Sequence, residues 1–380
     1  MKISSRGDVA PFIVMDVMEA ARQEEAKGRH IIHMEVGQPA TGAPEGAINA
    51  LKAAMDSGPL GYTVALGLPE LRARIAGMYM HRYGVAVSPE RVVVTAGSSA
   101  GFLLSFISLF DTGAKVAIGD PAYPSYRNIL KSQGLEIVRL ETGAASNFQP
   151  DPVQLAGVDG LLVASPSNPT GTMLGKAELE ALVAACKAQD IALISDEIYH
   201  GIEYSRKAVS ALEVTDDVYV INSFSKYYSM TGWRVGWMVV PETHVRRIER
   251  LSQNLFICAP HAAQVAALAA MECDAELQGH IKTYARNREV LVQGLPKAGF
   301  SNFAPPDGAF YIYADVSDLT DNSRALAAEI LQDAGVAVTP GLDFDPERGH
   351  KTLRFSYARS TEDMVEGVAR LQRWFKARGK

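Results

Sequence analysis

Cysteine is scarce in this sequence of 380 residues, and its scarcity excludes two kinds of protein. The chain has 3 cysteines, Cys186, Cys258 and Cys273, which lie far apart. They can form neither a disulfide framework nor a Cys-x-x-Cys metal site. We therefore expect reduced and mostly buried thiols, as in a cytoplasmic protein.

Long apolar runs and blocks of like charge are also missing. The longest apolar run, Phe102–Phe110, is too short to span a bilayer and contains serines, and Met1–Pro11 lacks the apolar stretch of a signal peptide. The 37 basic and 43 acidic residues give a net charge of −6 without a cluster of one sign. These absences argue against membrane, secreted and nucleic-acid-binding proteins.

The motifs of two enzyme classes are absent as well. Gly175-Lys176 lacks the upstream glycine spacing and the Ser/Thr of a P-loop, and no Gly-x-Gly occurs. No His-Glu-x-x-His or similar cluster indicates a catalytic metal. Nucleotide-binding and metal-dependent enzymes are therefore disfavoured.

What the sequence does contain, from about residue 90 to 240, is an alternation of β-branched runs and amphipathic stretches. This alternation predicts an α/β fold with three layers, in which helices cover both faces of a mostly parallel sheet. Helical patterns such as Ser98–Phe110 and Lys176–Gln189 lie between the strands. The candidate strands are Arg91–Thr95, Lys115–Gly119, Leu135–Leu140, Leu161–Ser165, Ile191–Ser195, Val218–Asn222 and Val235–Val240.

The pattern changes after about residue 275, where a long helix-like segment leads into a smaller α+β part. The N-terminal stretch Val9–Lys27 is helix-like and has no strand partner, so we expect it to pack with this part. We predict a large domain at 38–275 and a small domain made of 1–37 and 276–380. The expected elements of the small domain are strand Phe310–Val316, helix Ser323–Ala334, strand Thr352–Tyr357 and a closing helix from Thr361.

Polar segments follow the predicted strands, at the edge of the sheet where ligands gather. In the first segment, small residues lead into a helix, whose free N–H groups and positive dipole suit a phosphate. Ser98 and Ser99 could add hydroxyl donors, although a plain helix cap would use the same residues. The segments are Thr95–Gly101, Ser165–Gly171, Asp196–Tyr199, Ser223–Lys226 and Gly232–Gly236.

Lys226 and Arg234 give the sharpest signal. A lysine at the end of a strand in an apolar sheet is unusual, because a buried ammonium group is unfavourable unless it is paired. An imine with an aldehyde cofactor would make Lys226 a covalent anchor and a proton carrier. Arg234 could join Ser223 and Ser225 in binding a phosphate dianion. The alternative is a surface lysine and a solvated arginine.

Asp196 follows an apolar strand, and a carboxylate there needs a cationic partner or caps a helix. A protonated pyridine nitrogen is such a partner. Asn168 and Tyr199 could hold the phenolate oxygen of the same ring, and Tyr123 could stack on it. Singly, these three would be read as a turn residue and core aromatics. Together with Lys226, Asp196 and the phosphate contacts named above, they offer one candidate for each contact that pyridoxal 5'-phosphate (PLP) requires.

Taken in order, the segments resemble the class I and II aminotransferases of fold type I, the family of aspartate aminotransferase. The resemblance covers nearly the whole chain, and it is the order of the motifs that makes it specific. The motifs are Val36–Pro39, Gly61-Tyr62, Pro121–Pro124, Asn168–Gly171, Asp196–Tyr199, Ser223–Lys226, Gly232–Gly236 and Arg354–Ser356.

The resemblance implies roles for these positions. Lys226 would form the Schiff base and act as acid and base, with Asp196 at the pyridinium and Tyr199 at the phenolate. Tyr62 would reach the phosphate from a neighbouring subunit, so a homodimer is implied. The other implied contacts are Ser98, Ser99, Tyr123, Asn168, Ser223, Ser225 and Arg234 for PLP, and Gly37, Asn168 and Arg354 for the substrate carboxylate.

The implied reaction is a ping-pong transamination, in which an L-amino acid gives its amino group to the cofactor and a 2-oxo acid then accepts it. A PLP-dependent C–S β-lyase would share every motif, so only an assay separates the two. A PLP-sensing transcription regulator would need an added DNA-binding module. Arg354 without the resemblance would be read as a surface arginine on an edge strand.

The sequence does not identify the amino acid substrate. The helix pattern Ser98–Phe110 has no lysine or arginine, which disfavours a dedicated aspartate site. The segment Asn254–Cys258 could line the pocket or belong to the core. A second cation for a dicarboxylic substrate could come from Arg6, Arg22, Arg29 or Arg127.

Overall fold

The computed structural model describes residues 1–379. Within this range no helix combines the length and the apolar character needed to cross a membrane. The strands are β1 (Ile32–His33), β2 (Val92–Thr95), β3 (Lys115–Asp120), β4 (Glu136–Glu141), β5 (Gly160–Ala164), β6 (Ala192–Asp196), β7 (Tyr219–Ser223), β8 (Gly236–Val239), β9 (Asn302–Phe303), β10 (Tyr311–Asp315), β11 (Val336–Ala337), β12 (Thr339–Pro340) and β13 (Thr352–Ser356). The helices are α1 (Ile13–Ala26), α2 (Glu45–Ser57), α3 (Pro69–Tyr83), α4 (Ser98–Leu109), α5 (Pro124–Ser132), α6 (Lys176–Ala188), α7 (Val245–Leu255), α8 (His261–Ala270), α9 (Asp274–Gly294), α10 (Ser323–Ala334) and α11 (Thr361–Ala377).

A seven-stranded sheet in the order β2-β8-β7-β6-β5-β3-β4 forms the centre of the fold. Its strands are parallel except β8, which runs antiparallel to both neighbours. Along β5, Leu161 and Val163 face one apolar cluster and Leu162 faces another, and all three are buried. Helix α6 contributes to the first cluster and α4 to the second. The predicted three-layer α/β fold with a mostly parallel sheet is therefore confirmed.

The seven predicted strands of this sheet are all present, and each end differs from its prediction by at most one residue. The N-terminal helix differs more, since α1 begins at Ile13 and not at Val9. Pro11 disfavours helical backbone at the residue before it, and Phe12 is extended with φ −81° and ψ 114°. The first residues of the chain therefore form an extended segment that leads into α1.

A second, antiparallel sheet in the order β12-β13-β10-β9 is built from the C-terminal part of the chain. The N-terminal part joins it, because β1 pairs in parallel with β11 and α1 contacts β11 and β12. The predicted boundary after residue 275 falls just inside α9, which begins at Asp274. The domain limits themselves stay a prediction.

Candidate active site

A cavity of about 420 Å³ opens at the carboxyl ends of β2, β5, β6 and β7, where the start of α1 closes one side. It collects the predicted site residues from all of these strand ends, as expected for a parallel sheet. Tyr62 and Ser223 are the predicted residues that do not line it. Those that do are Gly37, Ser98, Ser99, Tyr123, Asn168, Asp196, Tyr199, Ser225, Lys226, Arg234 and Arg354.

Lys226 enters the cavity from the turn after β7, and its Nζ donates a 2.6 Å hydrogen bond to the carbonyl oxygen of Gly37. The pKa of this amine is lowered to about 8, mainly by burial and further by the charges of Arg354 and Arg234. A substantial fraction of the amine is therefore neutral under mildly alkaline conditions. In that form it can act as a nucleophile and as a base.

Asp196 is the last residue of β6 and is 3% exposed. Its carboxylate accepts hydrogen bonds from the hydroxyl of Tyr126 and, at 3.0 Å, from the N–H of Ile198. Burial raises its pKa to about 6, although both hydrogen bonds oppose this change. The carboxylate therefore lacks a full complement of favourable partners, and a cationic ligand in the cavity would supply one.

Arg354 lies on β13 and is 3% exposed. Its guanidinium carbon is 4.4 Å from the ring centre of Tyr311 and 4.6 Å from that of Phe344, so two aromatic rings flank it. One nitrogen donates to Oδ1 of Asn168 at 2.9 Å. Throughout residues 1–379 no carboxylate approaches it within 4.0 Å, and its Nε has no partner. A buried guanidinium without an anionic partner has the charge and the donors to bind a carboxylate.

Tyr199 and Tyr311 form a hydroxyl pair 2.7 Å apart beneath the cavity. The Nζ of Lys226 is 5.7 Å from the ring centre of Tyr199. A Cβ at position 37 would lie 2.0 Å from the hydroxyl oxygen of Tyr311, so only glycine fits there. The backbone of Gly37 can therefore approach the lysine and any ligand closely.

The glycine–serine turn joins β2 to α4, whose first residue is Ser98 and whose first turn has no side-chain cap. Gly97 has φ +77°, and a Cβ there would lie 2.5 Å from Nη2 of Arg234. The free N–H groups of α4 and the guanidinium are therefore neighbours, an arrangement that suits a phosphate. Arg234 is exposed in the single chain, yet it lines the cavity.

Two predicted cofactor contacts lie outside the cavity. The Oγ of Ser223 donates to Oγ of Ser225 at 2.9 Å and accepts the N–H of Ser225 at 3.1 Å, so Ser223 orients its neighbour. Tyr62 lies on the surface with 82% of its side chain exposed. Its predicted role needs a second subunit and stays a prediction.

Sequence reasoning missed Tyr126 and Tyr311, which both line the cavity. Tyr126 follows Tyr123 at helical spacing on α5, and Tyr311 begins the buried strand β10. Core aromatics have the same spacing, so the sequence held no signal that separates these two from the core. Their position in the cavity wall is visible only from the fold.

Much of the remaining wall of the cavity is apolar and comes from the start of α1, although Gln38, Thr231 and Asp343 also line it. None of the four arginines considered for a dicarboxylic substrate lines it, and neither does any residue of Asn254–Cys258. Within the described part of the chain, the lining carries positive charge only at Lys226, Arg234 and Arg354. The apolar side chains of the wall are Phe12, Val14, Met15, Met18, Val36, Phe102, Pro124, Ile198 and Phe344.

Comparison with known proteins agrees with this geometry. The family model described as aminotransferase class I and II matches residues 29–371. The chain is 45% identical to a valine–pyruvate aminotransferase of Mycobacterium tuberculosis, over 98% of both chains. A solved structure from Silicibacter pomeroyi is 63% identical, with a TM-score of 0.95 over 99% of this chain and 100% of that one. Aspartate aminotransferase of Thermus thermophilus with maleate is 30% identical, with a TM-score of 0.91 over 98% and 99%.

Proposed function

Because the chain belongs to the class I and II aminotransferase family, we propose that it holds PLP in this cavity and that Lys226 is the residue bound to it. The observation that carries the proposal is the placement of Lys226 and Asp196 in one cavity, an amine with a lowered pKa beside a buried carboxylate with a raised pKa. All of the predicted cofactor and substrate contacts except Tyr62 and Ser223 line this one cavity, which supports the proposal.

The residues proposed to hold the cofactor divide by the part of it they bind. Asp196 would pair with the pyridine nitrogen, where a positive charge would compensate its burial. Asn168 and Tyr199 would bind the phenolate oxygen, and Tyr123 would stack on the ring. The phosphate would be bound by the first turn of α4 with Ser98 and Ser99, and by Ser225 and Arg234.

The protein's own groups would then direct the chemistry. PLP supplies an aldehyde for the amino group and a ring that accepts electrons from the substrate. Arg354 would bind the α-carboxylate with two parallel hydrogen bonds, while Asn168, already bonded to Arg354, shares that carboxylate site. The amine of Lys226 would take the proton from the substrate Cα and return it to the cofactor side, for which its pKa of about 8 is suited.

We propose an amino donor with a neutral, apolar side chain and a 2-oxo acid as acceptor. The cavity offers apolar side chains next to Arg354 and, within residues 1–379 of this single chain, no further cation for a distal carboxylate. The name of the Mycobacterium tuberculosis relative, a valine–pyruvate aminotransferase, supports the same class of substrate. The cytoplasm is the proposed compartment, on the ground of three unpaired cysteines.

A homodimer completes the proposal. Tyr62, Val64 and Ile257 are large side chains with 82%, 57% and 51% of their surface exposed. In a dimer, contact with a second chain would bury these exposed side chains, which would then form part of the interface between the subunits. Tyr62 would cross that interface to the phosphate of the neighbouring site. We also propose, from the sequence, that each subunit has a large domain at 38–275 and a small domain made of 1–37 and 276–380.

The first experiment replaces the proposed anchor by Lys226→Ala. We expect the purified variant to lose the visible absorbance of bound cofactor and all measurable amine exchange between an amino acid and pyruvate. Exposed Lys176→Ala is the matched control and should keep both. Full exchange in the Lys226 variant would contradict the proposal, and keto acid-independent release of ammonia by the wild type would point to β-elimination.

A further inference from the structure

Among residues 1–379, the start of α1 is the one part of the cavity wall whose backbone is held by a distant carboxylate, that of Asp343. Oδ1 of Asp343 accepts the N–H of Ile13 at 3.0 Å, and Oδ2 accepts the N–H of Val14 at 3.3 Å. Phe12, the residue before α1, gives no side-chain cap. Asp343 thus caps a helix that lies 330 residues away in the sequence, and its charge is favourable at that end of the helix.

The backbone around Asp343 is itself held by helix α5. Arg127 of α5 donates to the carbonyl oxygens of Asp343 and Phe344, both at 2.8 Å. Asp343 is 3% exposed and lines the cavity, but its carboxylate forms no ion pair with Arg354 within 4.0 Å. Its hydrogen-bonding capacity is directed at the helix, and the guanidinium is left for the substrate.

The helix start that Asp343 holds carries the apolar wall. Phe12, Val14, Met15 and Met18 all line the cavity. The ring of Phe12 lies 5.9 Å from that of Tyr123, and Nδ2 of Asn128 donates to the carbonyl oxygen of Ala10 at 3.1 Å. Apart from these contacts, the segment before α1 is largely exposed, so the cap provides much of its order.

We propose that Asp343 is a positioning residue for substrate selectivity, which fixes the wall of α1 against the side chain of an apolar amino acid. The inference rests on the function proposed above. A short side chain such as that of alanine leaves this wall untouched, whereas a longer one such as that of leucine contacts it. Losing the cap therefore weakens the recognition of leucine and spares alanine.

The test compares the half-reaction of the holoenzyme with alanine and with leucine, followed by the loss of cofactor absorbance. The Asp343→Asn variant would keep one of the two acceptor oxygens but lose the negative charge at the helix start. We therefore expect its second-order rate constant for the half-reaction with leucine to fall about tenfold through weaker binding, and that with alanine to change less than about twofold. Exposed Asp333→Asn on α10 is the control and should leave both unchanged. An equal fall for both amino acids, or no fall for either, would overturn the proposal.

A second pair of variants tests the hydrogen bond between Ile13 and Asp343 without changing any charge. Ile13→Pro deletes the N–H that Asp343 accepts, at the first helical position, where proline is tolerated. Ile13→Ala keeps the N–H and is the matched control. We expect Ile13→Pro to reproduce the leucine defect, and the double variant with Asp343→Asn to be less impaired than the product of the single effects. Strictly multiplicative effects would show that the two groups act separately.

A measurement that does not depend on catalysis can distinguish a failure of this proposal from a failure of the proposed function. Hydrogen exchange of residues 12–18 should be faster in Asp343→Asn than in the wild type, both with cofactor and without it. The amides of α6 should exchange at the same rate in both proteins. Unchanged exchange at the start of α1 would refute the positioning role even if the enzyme proves to transaminate, and faster exchange would support it in a protein that does not.

Discussion

The two ends of the cavity are built in different ways. The end proposed for the cofactor is made by strand ends of one sheet, and Gly97, Asp196, Lys226 and Arg234 all fall within residues 97–234. The end proposed for the substrate joins parts that are remote in sequence. Arg354 bonds to the carbonyl oxygen of Glu35, 319 residues away, and Asp343 bonds to Ile13, 330 residues away.

This difference indicates which end of the cavity can be altered by substitution without affecting the central sheet. Residues at the strand ends are fixed by the ladder of the sheet, so a substitution there affects the central core as well. The remote end depends on how α1 and the loop around Phe344 pack on the rest. Changes in that packing alter the wall and leave the sheet intact, so this end is suited to set the choice of substrate.

The largest effect that separates the two ends is expected from Arg354→Lys. Lysine keeps the charge but lacks the planar pair of donors, and it cannot fill the space between the rings of Tyr311 and Phe344. We expect kcat/KM for every amino donor to fall about a hundredfold, or about 2.7 kcal/mol. Steady-state kinetics with alanine and leucine measures this fall.

The same variant should bind the cofactor as the wild type does, because Arg354 lies at the remote end. A titration of the cofactor-free protein with PLP, followed by absorbance, tests this. Exposed Arg324→Lys serves as the control and should behave as the wild type in both assays. A parallel loss of cofactor affinity in Arg354→Lys would mean that the two ends are not independent.

Much of the cofactor end could be predicted from the sequence. Each strand there is a short apolar run that ends in a polar motif, so Asp196 and Lys226 could be assigned to strand ends without knowing what packs on them. The sheet orders those ends along one edge, and the cavity follows. The α/β fold was predictable for the same reason.

Most contacts of the remote end could not be predicted, because they depend on packing, and Arg354 was assigned to the site only through the family resemblance. Nothing near Asp343 in the sequence points to Ile13, and Tyr126 has the spacing of an ordinary core residue. Prediction from the sequence was incomplete even at the cofactor end. Ser223 was expected to contact the cofactor, but its hydroxyl is directed to Ser225 and not to the cavity. A motif identifies which residues are near a ligand, but the direction of each side chain comes from the fold.

A mixing experiment tests whether the cofactor end is completed by a second subunit. Lys226→Ala and Tyr62→Ala are each expected to be weak or inactive alone. If Tyr62 acts across the interface, a mixed dimer has one site with both defects and one intact site. Random reassembly of equal amounts then recovers about a quarter of the wild-type activity.

The recovery is measured after joint unfolding and refolding or after co-expression of the two variants. A mixture of Lys226→Ala with the wild type is the control and fixes the activity expected per intact site. If Tyr62 acted within its own subunit, no mixed dimer would contain an intact site, and the activity would stay at the level of the two variants alone. That outcome would confine the cofactor end to one chain.

The smallest expected effect concerns Tyr126. Its hydroxyl donates a hydrogen bond to the carboxylate of Asp196 and so opposes the rise of the pKa of that group, which burial causes. Removing it in Tyr126→Phe raises the pKa of Asp196 above its value of about 6 in the cofactor-free protein. Cofactor binding uses the ionised carboxylate, so affinity is present above this pKa and is lost as the pH falls through it. In the variant the loss should begin at a higher pH. We expect PLP binding to be about tenfold weaker than in the wild type near pH 6 and nearly equal at pH 8, as measured by titration at each pH.

Tyr313→Phe, which removes a buried hydroxyl remote from Asp196, should leave the pH profile unchanged. An equal loss of affinity at both pH values would indicate that Tyr126 acts on the shape of the cavity and not on the charge of Asp196.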